Sequence, residues 1–294
     1  MFSQFLQLTL AGVAQGCVYA LVALGFVLIY KATETVNFAQ GDLMMLGAFF
    51  GLTASTILGW PYWATILFAI VVMALVGMLI ERIVIRPVLG YPTFTVVMIT
   101  IGVGYVLRGV VTMVPGWGTE THSLKTPFGD QVIRFGGAVL AAEQIATIAF
   151  TAALCLALYL FFRFARLGVA MQATSQNQLA AYYMGIPVKL IFSLIWAISA
   201  GVAAAAGILL APVTLIDINM GLAVALKAFA AAVLGGFGSI PGALAGGIII
   251  GLIELYAGAT LPEGFKDTAP YIVLLLMPIV RPQGLFGTLA RKKV

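Results

Sequence analysis

Long apolar runs alternate with short polar breaks along almost the whole chain. They lie at about 5–30, 38–58, 61–80, 93–114, 144–162, 190–211, 221–237, 241–260 and 269–281. A helix needs about 20 such residues to cross about 30 Å of hydrocarbon. None of the runs has the strict apolar–polar alternation of a barrel strand. The pattern predicts an all-α, polytopic transmembrane helical bundle of about 8–9 spans, forming one domain over residues 1–294. The second run is interrupted by polar groups and the last is short. Eight full crossings, with one of these two as a half-helix, is therefore the alternative.

Composition agrees with the pattern. Hydrophobic residues make up 62% of the chain and charged residues 9%, against about 45–50% and 25% in soluble domains. The net charge of +5 reads as topology rather than nucleic-acid binding, because Lys and Arg collect in cytoplasmic loops. Threading nine spans puts Lys31, Arg82, Arg86, Arg163, Arg166, Lys189, Arg281, Arg291, Lys292 and Lys293 on one side. The other side receives Lys125, Arg134 and Lys266, while Arg108 and Lys227 fall inside spans. The N-terminus is therefore expected outside and the C-terminus in the cytoplasm. The first span reads as retained rather than as a signal peptide. Cys17 and Cys155 lie in apolar runs and read as packing residues, not a disulfide.

Three stretches carry candidate chemistry. In "TETVNFAQGDLMMLGAFFG", Asn37, Gln40 and Asp42 crowd the start of the second run. Polar groups in hydrocarbon cost several kcal/mol unless satisfied, so they face a bundle interior or a watery path. They are candidates for a substrate pathway; an ordinary interfacial helix start is the alternative. "RLGVAMQATSQNQLAAYYMGIPVKL" is the longest polar passage, within a cytoplasmic segment at about 163–189. It has no Pro or Gly from Val169 to Met184, so one helix of about four turns is expected, stopped by Gly185 and Pro187. Its alanines, Ala173 and Ala180 among them, keep it slim. Ser175, Asn177 and the glutamines bond without burying charge, and Arg166 flanks it. "KAFAAAVLGGFGSIPGALAGGIIIGLIE" pairs Gly242 with Gly246 and Gly247 with Gly251, a spacing that lets helix backbones approach. It also brings Lys227 and Glu254 into spans as further pathway candidates, which pair with each other, with Asp42, or reach water. Its glycine turn lacks the Gly-Lys-Ser/Thr of a nucleotide loop. The outer loop at about 115–143 holds the single histidine, His122.

No nucleophile–base pair or metal-ligand cluster suggests itself, so no catalytic, cofactor or metal residue is expected and the chain reads as no enzyme. "TVNFAQGDLMMLGAF" resembles the signature of permeases of the branched-chain amino-acid ABC transporter family, with Gln40 where that family commonly has His and Asp42 where it has Glu. The other two stretches resemble that family's coupling segment and C-terminal signature, in the same order. The resemblance implies a permease subunit of an ATP-driven importer in a bacterial inner membrane. It implies ATP-binding subunits docked on Arg166, Ala173, Ser175, Asn177, Ala180 and Gly185. It also implies a second related permease subunit, in a heterodimer or else a homodimer, and a periplasmic solute-binding protein. The rival classes are an ion-coupled secondary transporter, with Asp42, Glu254 and Arg108 as relay sites, and a passive channel.

Overall fold

The computed structural model describes residues 2–129, 131–135 and 138–287. Arg291, Lys292, Lys293 and the outer-loop Asp130 lie outside the described residues. Each of the nine apolar runs holds one α-helix. They are α1 (Phe2–Thr33), α2 (Gln40–Thr56), α3 (Tyr62–Ile80), α4 (Thr93–Met113), α5 (Ala142–Phe164), α8 (Val188–Thr214), α9 (Met220–Gly235), α10 (Ile240–Thr260) and α11 (Phe265–Val280). Six are long and apolar enough to cross a membrane. The shorter three are α2, with 17 residues, and α9 and α11, with 16 each. The polar passage contributes α6 (Arg166–Gln176) and α7 (Gln178–Tyr183).

One expectation needs correction. The helix expected over 169–184 is two helices that meet at Asn177. The Asn177 carboxamide accepts from the Ala180 amide at 2.9 Å, capping α7 instead of continuing α6. An Asn side chain competes with the helix ladder in this way. The outer loop holds an antiparallel pair, β1 (Val132–Phe135) and β2 (Ala138–Ala141).

The centre of the bundle is α1 and α8, each 89% buried over its most apolar stretch. α2, α9 and α10 pack around them. α3, α4 and α5 are only 33, 22 and 17% buried. Their outward residues, such as Leu67, Val71 and Leu75 on α3, are exposed apolar groups, as a lipid-facing layer requires. α10 runs antiparallel to α1 in backbone contact. Gly12, Gly16 and Ala20 of α1, four apart, meet Gly247, Gly251 and Leu252 of α10. In hydrocarbon there is little hydrophobic drive between helices, so close backbone approach supplies the association. The pair Gly242 and Gly246 faces elsewhere: Gly242 meets Gly235 and Gly246 meets Ala231, both on α9.

A Cβ at Gly16 would lie 2.7 Å from the Ile248 Cα and 2.8 Å from the Gly247 carbonyl. Gly16→Val is therefore expected to cost about 1–3 kcal/mol by overpacking. It should lower the thermal unfolding midpoint in detergent, while Gly102→Ala, with nothing within 4 Å of its Cβ, leaves the midpoint where it was.

The α9–α10 turn is held by Ser239, whose hydroxyl accepts from the Gly242 amide at 3.1 Å. The chain after α11 folds back onto this turn: the Leu285 and Phe286 amides donate to the Leu234 and Gly235 carbonyls at 2.8 and 3.1 Å. On the far end, Trp117 donates to the Thr53 hydroxyl at 2.7 Å, and His122 exchanges backbone hydrogen bonds with Ile216. His122 thus pins the outer loop across the ends of α2 and α8.

Candidate functional site

The first polar cluster sits where α2 begins. The chain leaves α1 through Glu34, at φ +53°, and turns back into the bundle. Asn37 closes the turn by accepting from the Ala39 amide at 3.1 Å. Gln40, fully buried, donates to the Ser199 carbonyl at 3.3 Å, and its Oε1 accepts from Asn37 at 3.3 Å. The Ser199 hydroxyl lies 3.1 Å from that Oε1 and 3.0 Å from the Gly25 carbonyl. Ser199 is in the middle of α8, so α2 starts halfway along its neighbour rather than at the bundle's end. Non-helical backbone at such depth is tolerated only inside protein or along a cavity, and here Gly25, Gly41 and Gly221 make the room. Among the described cavities, none is lined by Asn37, Gln40 or Asp42.

Asp42, two residues into α2, accepts from the Arg108 Nε of α4 at 2.6 Å. The absence of a Cβ at Gly104 lets the carboxylate lie against α4. The Arg108 guanidinium also lies over the Tyr105 ring, 5.4 Å from its centroid. Two residues expected inside spans thus neutralise each other, and Asp42 does not pair with Lys227.

Lys227 and Glu254 do meet. The Lys227 ammonium donates to Glu254 at 2.7 Å and to Asp267 at 2.8 Å. Tyr19 donates to the second Glu254 oxygen at 2.6 Å and accepts from Gln15 at 2.9 Å. Four helices, α1, α9, α10 and α11, are joined by this chain of bonds. It lines a cavity of about 600 Å³, which Gln144, Asp217, Asn219 and Lys266 also line. The cavity opens at the end where α1 and α5 start. Its walls offer two ammonium groups, three carboxylates and several amides beside apolar Leu210, Val213 and Val224. That lining suits a small zwitterion with an apolar side chain. Asp267, Tyr19 and Gln15 were not among the expected site residues. A carboxylate in the first turn of a short helix carries no sequence signal for an ion pair 40 residues away.

The opposite end carries α6 and α7. Gln178 donates to the Ala32 carbonyl at the end of α1 at 2.9 Å, and Gln172 donates to the Phe162 carbonyl of α5 at 3.2 Å. Of the coupling candidates, Arg166, Asn177, Ala180 and Gly185 are exposed, and Ala173 and Ser175 are half-buried. Gly185, at φ +81°, ends the pair as expected. Sequence reasoning centred on amides and alanines, but the largest exposed groups are apolar: Leu179, Tyr182, Tyr183 and Met184, at 64, 67, 77 and 82%. Beside them lies a further cavity of about 830 Å³. One of its walls is Arg86, bound to Glu81 at 2.7 Å and to Ser193 at 2.7 Å. Glu81 is completely buried and opens a π-helical turn, Glu81–Ile85, that continues α3. This three-residue clasp between α3 and α8 was not anticipated.

A bundle of long apolar helices, with paired charges inside it and polar surfaces at both ends, defines a multi-pass membrane protein built to handle a polar solute. Residues 8–280 match the family model described as "Branched-chain amino acid transport system / permease component", and the chain belongs to that family. It is 33% identical over 307 residues to the high-affinity branched-chain amino acid transport system permease protein LivH of Escherichia coli strain K12, covering 100% of this chain and 99% of that protein. To the corresponding permease protein BraD of Pseudomonas aeruginosa it is 31% identical over 303 residues, covering 99% and 98%. Among solved structures, "PsaBC from Streptococcus pneumoniae in complex with Fab" aligns with a TM-score of 0.49 at 17% identity, over 93% of this chain and 91% of that one. The chain is a permease component, a transport subunit without an ATPase domain of its own. Family membership implies a transporter whose other components include an ATPase and a binding protein.

Proposed function

We propose that this chain is the membrane-spanning subunit of an ATP-driven importer that carries branched-chain amino acids inward. A second related permease subunit stands beside it, ATP-binding subunits dock on α6–α7, and a periplasmic binding protein delivers cargo to the opposite face. One observation carries the reading: the amphoteric cavity around Lys227 and Glu254 and the α6–α7 surface occupy opposite ends of one bundle. Lys227 and Glu254 line the entry. Asn37, Gln40 and Asp42 hold the interrupted start of α2 beside the route. Arg166, Ala173, Ser175, Asn177, Ala180 and Gly185, with the apolar groups of α7, form the docking surface. ATP drives transport because the docked subunits bind one arrangement of α6–α7 more tightly than the other.

The orientation follows from charge. Lys31, Arg82, Arg86, Arg163, Arg166 and Lys189 gather at the α6–α7 end, which marks it as cytoplasmic. The N-terminus is then periplasmic, in a bacterial inner membrane. A reporter fused after Val294 should be active only in the cytoplasm, and activity in the periplasm would invert the assignment.

The test of function is uptake of labelled leucine by proteoliposomes. Uptake should require the ATPase subunits, ATP and the binding protein together. Accumulation by this chain alone under a proton or sodium gradient would make it a secondary transporter instead.

A further inference from the structure

A third large cavity, of about 620 Å³, lies at the cytoplasmic end between α1, α5, α6 and the α9–α10 turn. Its charge differs from that of the outer cavity. Lys31 and Arg163 line it, and no carboxylate does. Among the described residues the Lys31 ammonium has neither a hydrogen bond nor an ion pair, although the side chain is half-buried. Arg163 is held over the rings of Tyr159 and Phe164, at 5.7 and 5.6 Å, and bonds the Tyr159 hydroxyl. The start of α10 opens into the same space and adds the positive end of a helix dipole. The remaining wall is apolar, with Leu24, Leu158 and Leu244. Lys31 is half-buried and Arg163 exposed, so two cations without a carboxylate face this space, and its apolar wall favours an anion that carries an apolar group.

Two features make the transported solute a better occupant than a lipid headgroup. The outer cavity and this one are both lined by α1, α5 and α10, and a smaller one, of about 40 Å³, adjoins the outer cavity between α1, α5 and α8. The inner cavity is also walled by Gln172, Ser175 and Gln176 of α6, the first half of the docking element, so any displacement of α6–α7 moves that wall. We propose that the inner cavity is an exit subsite, which takes the carboxylate of the amino acid on Lys31 and Arg163 and is opened by α6. The proposal rests on the import reading above and deepens it.

Cys155 lines the same cavity and is half-buried, whereas Cys17 is buried, so modification of Cys155 by a small maleimide reports occupancy. The complete transporter is assayed in proteoliposomes, in a Cys17→Ser background. Leucine at the cytoplasmic face should slow modification at least threefold. Leucinol, which lacks the carboxylate, should not. Lys31→Met should abolish protection, and Lys31→Arg should regain it. Equal protection by leucine and leucinol, or none by either, overturns the subsite. Protection by phosphatidylglycerol vesicles in place of leucine overturns it in favour of a lipid headgroup, and protection by inorganic phosphate in place of leucine overturns it in favour of a free anion. Leucine uptake is measured in the same preparations. Normal uptake without protection overturns the subsite alone, and absent uptake by the wild-type complex overturns the import reading together with it.

Discussion

Replacing Lys227 by methionine is expected to destabilise the protein by about 3–5 kcal/mol, the usual cost of removing one partner from a buried ion pair. Lys227 and Glu254 expose 10% and 4% of their side chains. Removal of the ammonium leaves the nearly buried Glu254 carboxylate with only Tyr19 as partner. The size of the effect comes from the stranded charge, not from a large net attraction in the intact pair. The double variant Lys227→Met/Glu254→Gln, which strands no charge, should therefore recover most of the loss. Asp267 needs no compensation, because its side chain is 76% exposed and water solvates it. Unfolding midpoints of the three proteins in detergent measure the difference. A double variant as unstable as Lys227→Met would mean that the pair contributes through packing and not through charge.

Introducing aspartate at both Tyr182 and Met184 is expected to reduce ATP-dependent uptake at least tenfold while the chain still inserts and folds. These side chains are 67% and 82% exposed and make the apolar part of the α7 surface. Each buried aromatic or Met anchor in a protein interface contributes about 2 kcal/mol or more when it is a hot spot, which is about 30-fold in affinity. Ala180→Trp, on the same exposed surface, should act similarly by bulk. Co-purification of the ATPase subunits and leucine uptake are the measurements. Normal uptake with all three changes in place would remove α7 from the docking surface.

Much of the bundle was legible because hydrocarbon is an undemanding solvent to read. Every run long enough to cross became a helix, since backbone groups in a bilayer have few other ways to be satisfied. What escaped depends on partners distant in the chain. Nothing local to Asp42 says that its counter-ion is Arg108, 66 residues on, rather than Lys227. Glu81 and Arg86 are close in sequence, but their closure on Ser193 depends on where α8 passes. The break at Asn177 was written in the residue type, as Asn caps helices better than it continues them. It was masked by a window free of Pro and Gly. The hairpin had a signal too: "VIRFGGAVLA" sets β-rich residues on either side of Gly-Gly, a two-residue turn composition. The pathway and docking candidates were found by residue type, and their exposure or enclosure needed the fold.

The glycine seam between α1 and α10 constrains how such a machine alternates. Helices whose main chains touch over about two turns have no side-chain layer there in which to slip. Packed interfaces of this kind switch between discrete fits or do not move at all. On the import reading proposed above, α1 and α10 would form a stator, and the strokes would fall to the loosely enclosed elements on the rim, α5 with α6 and α7 at its foot.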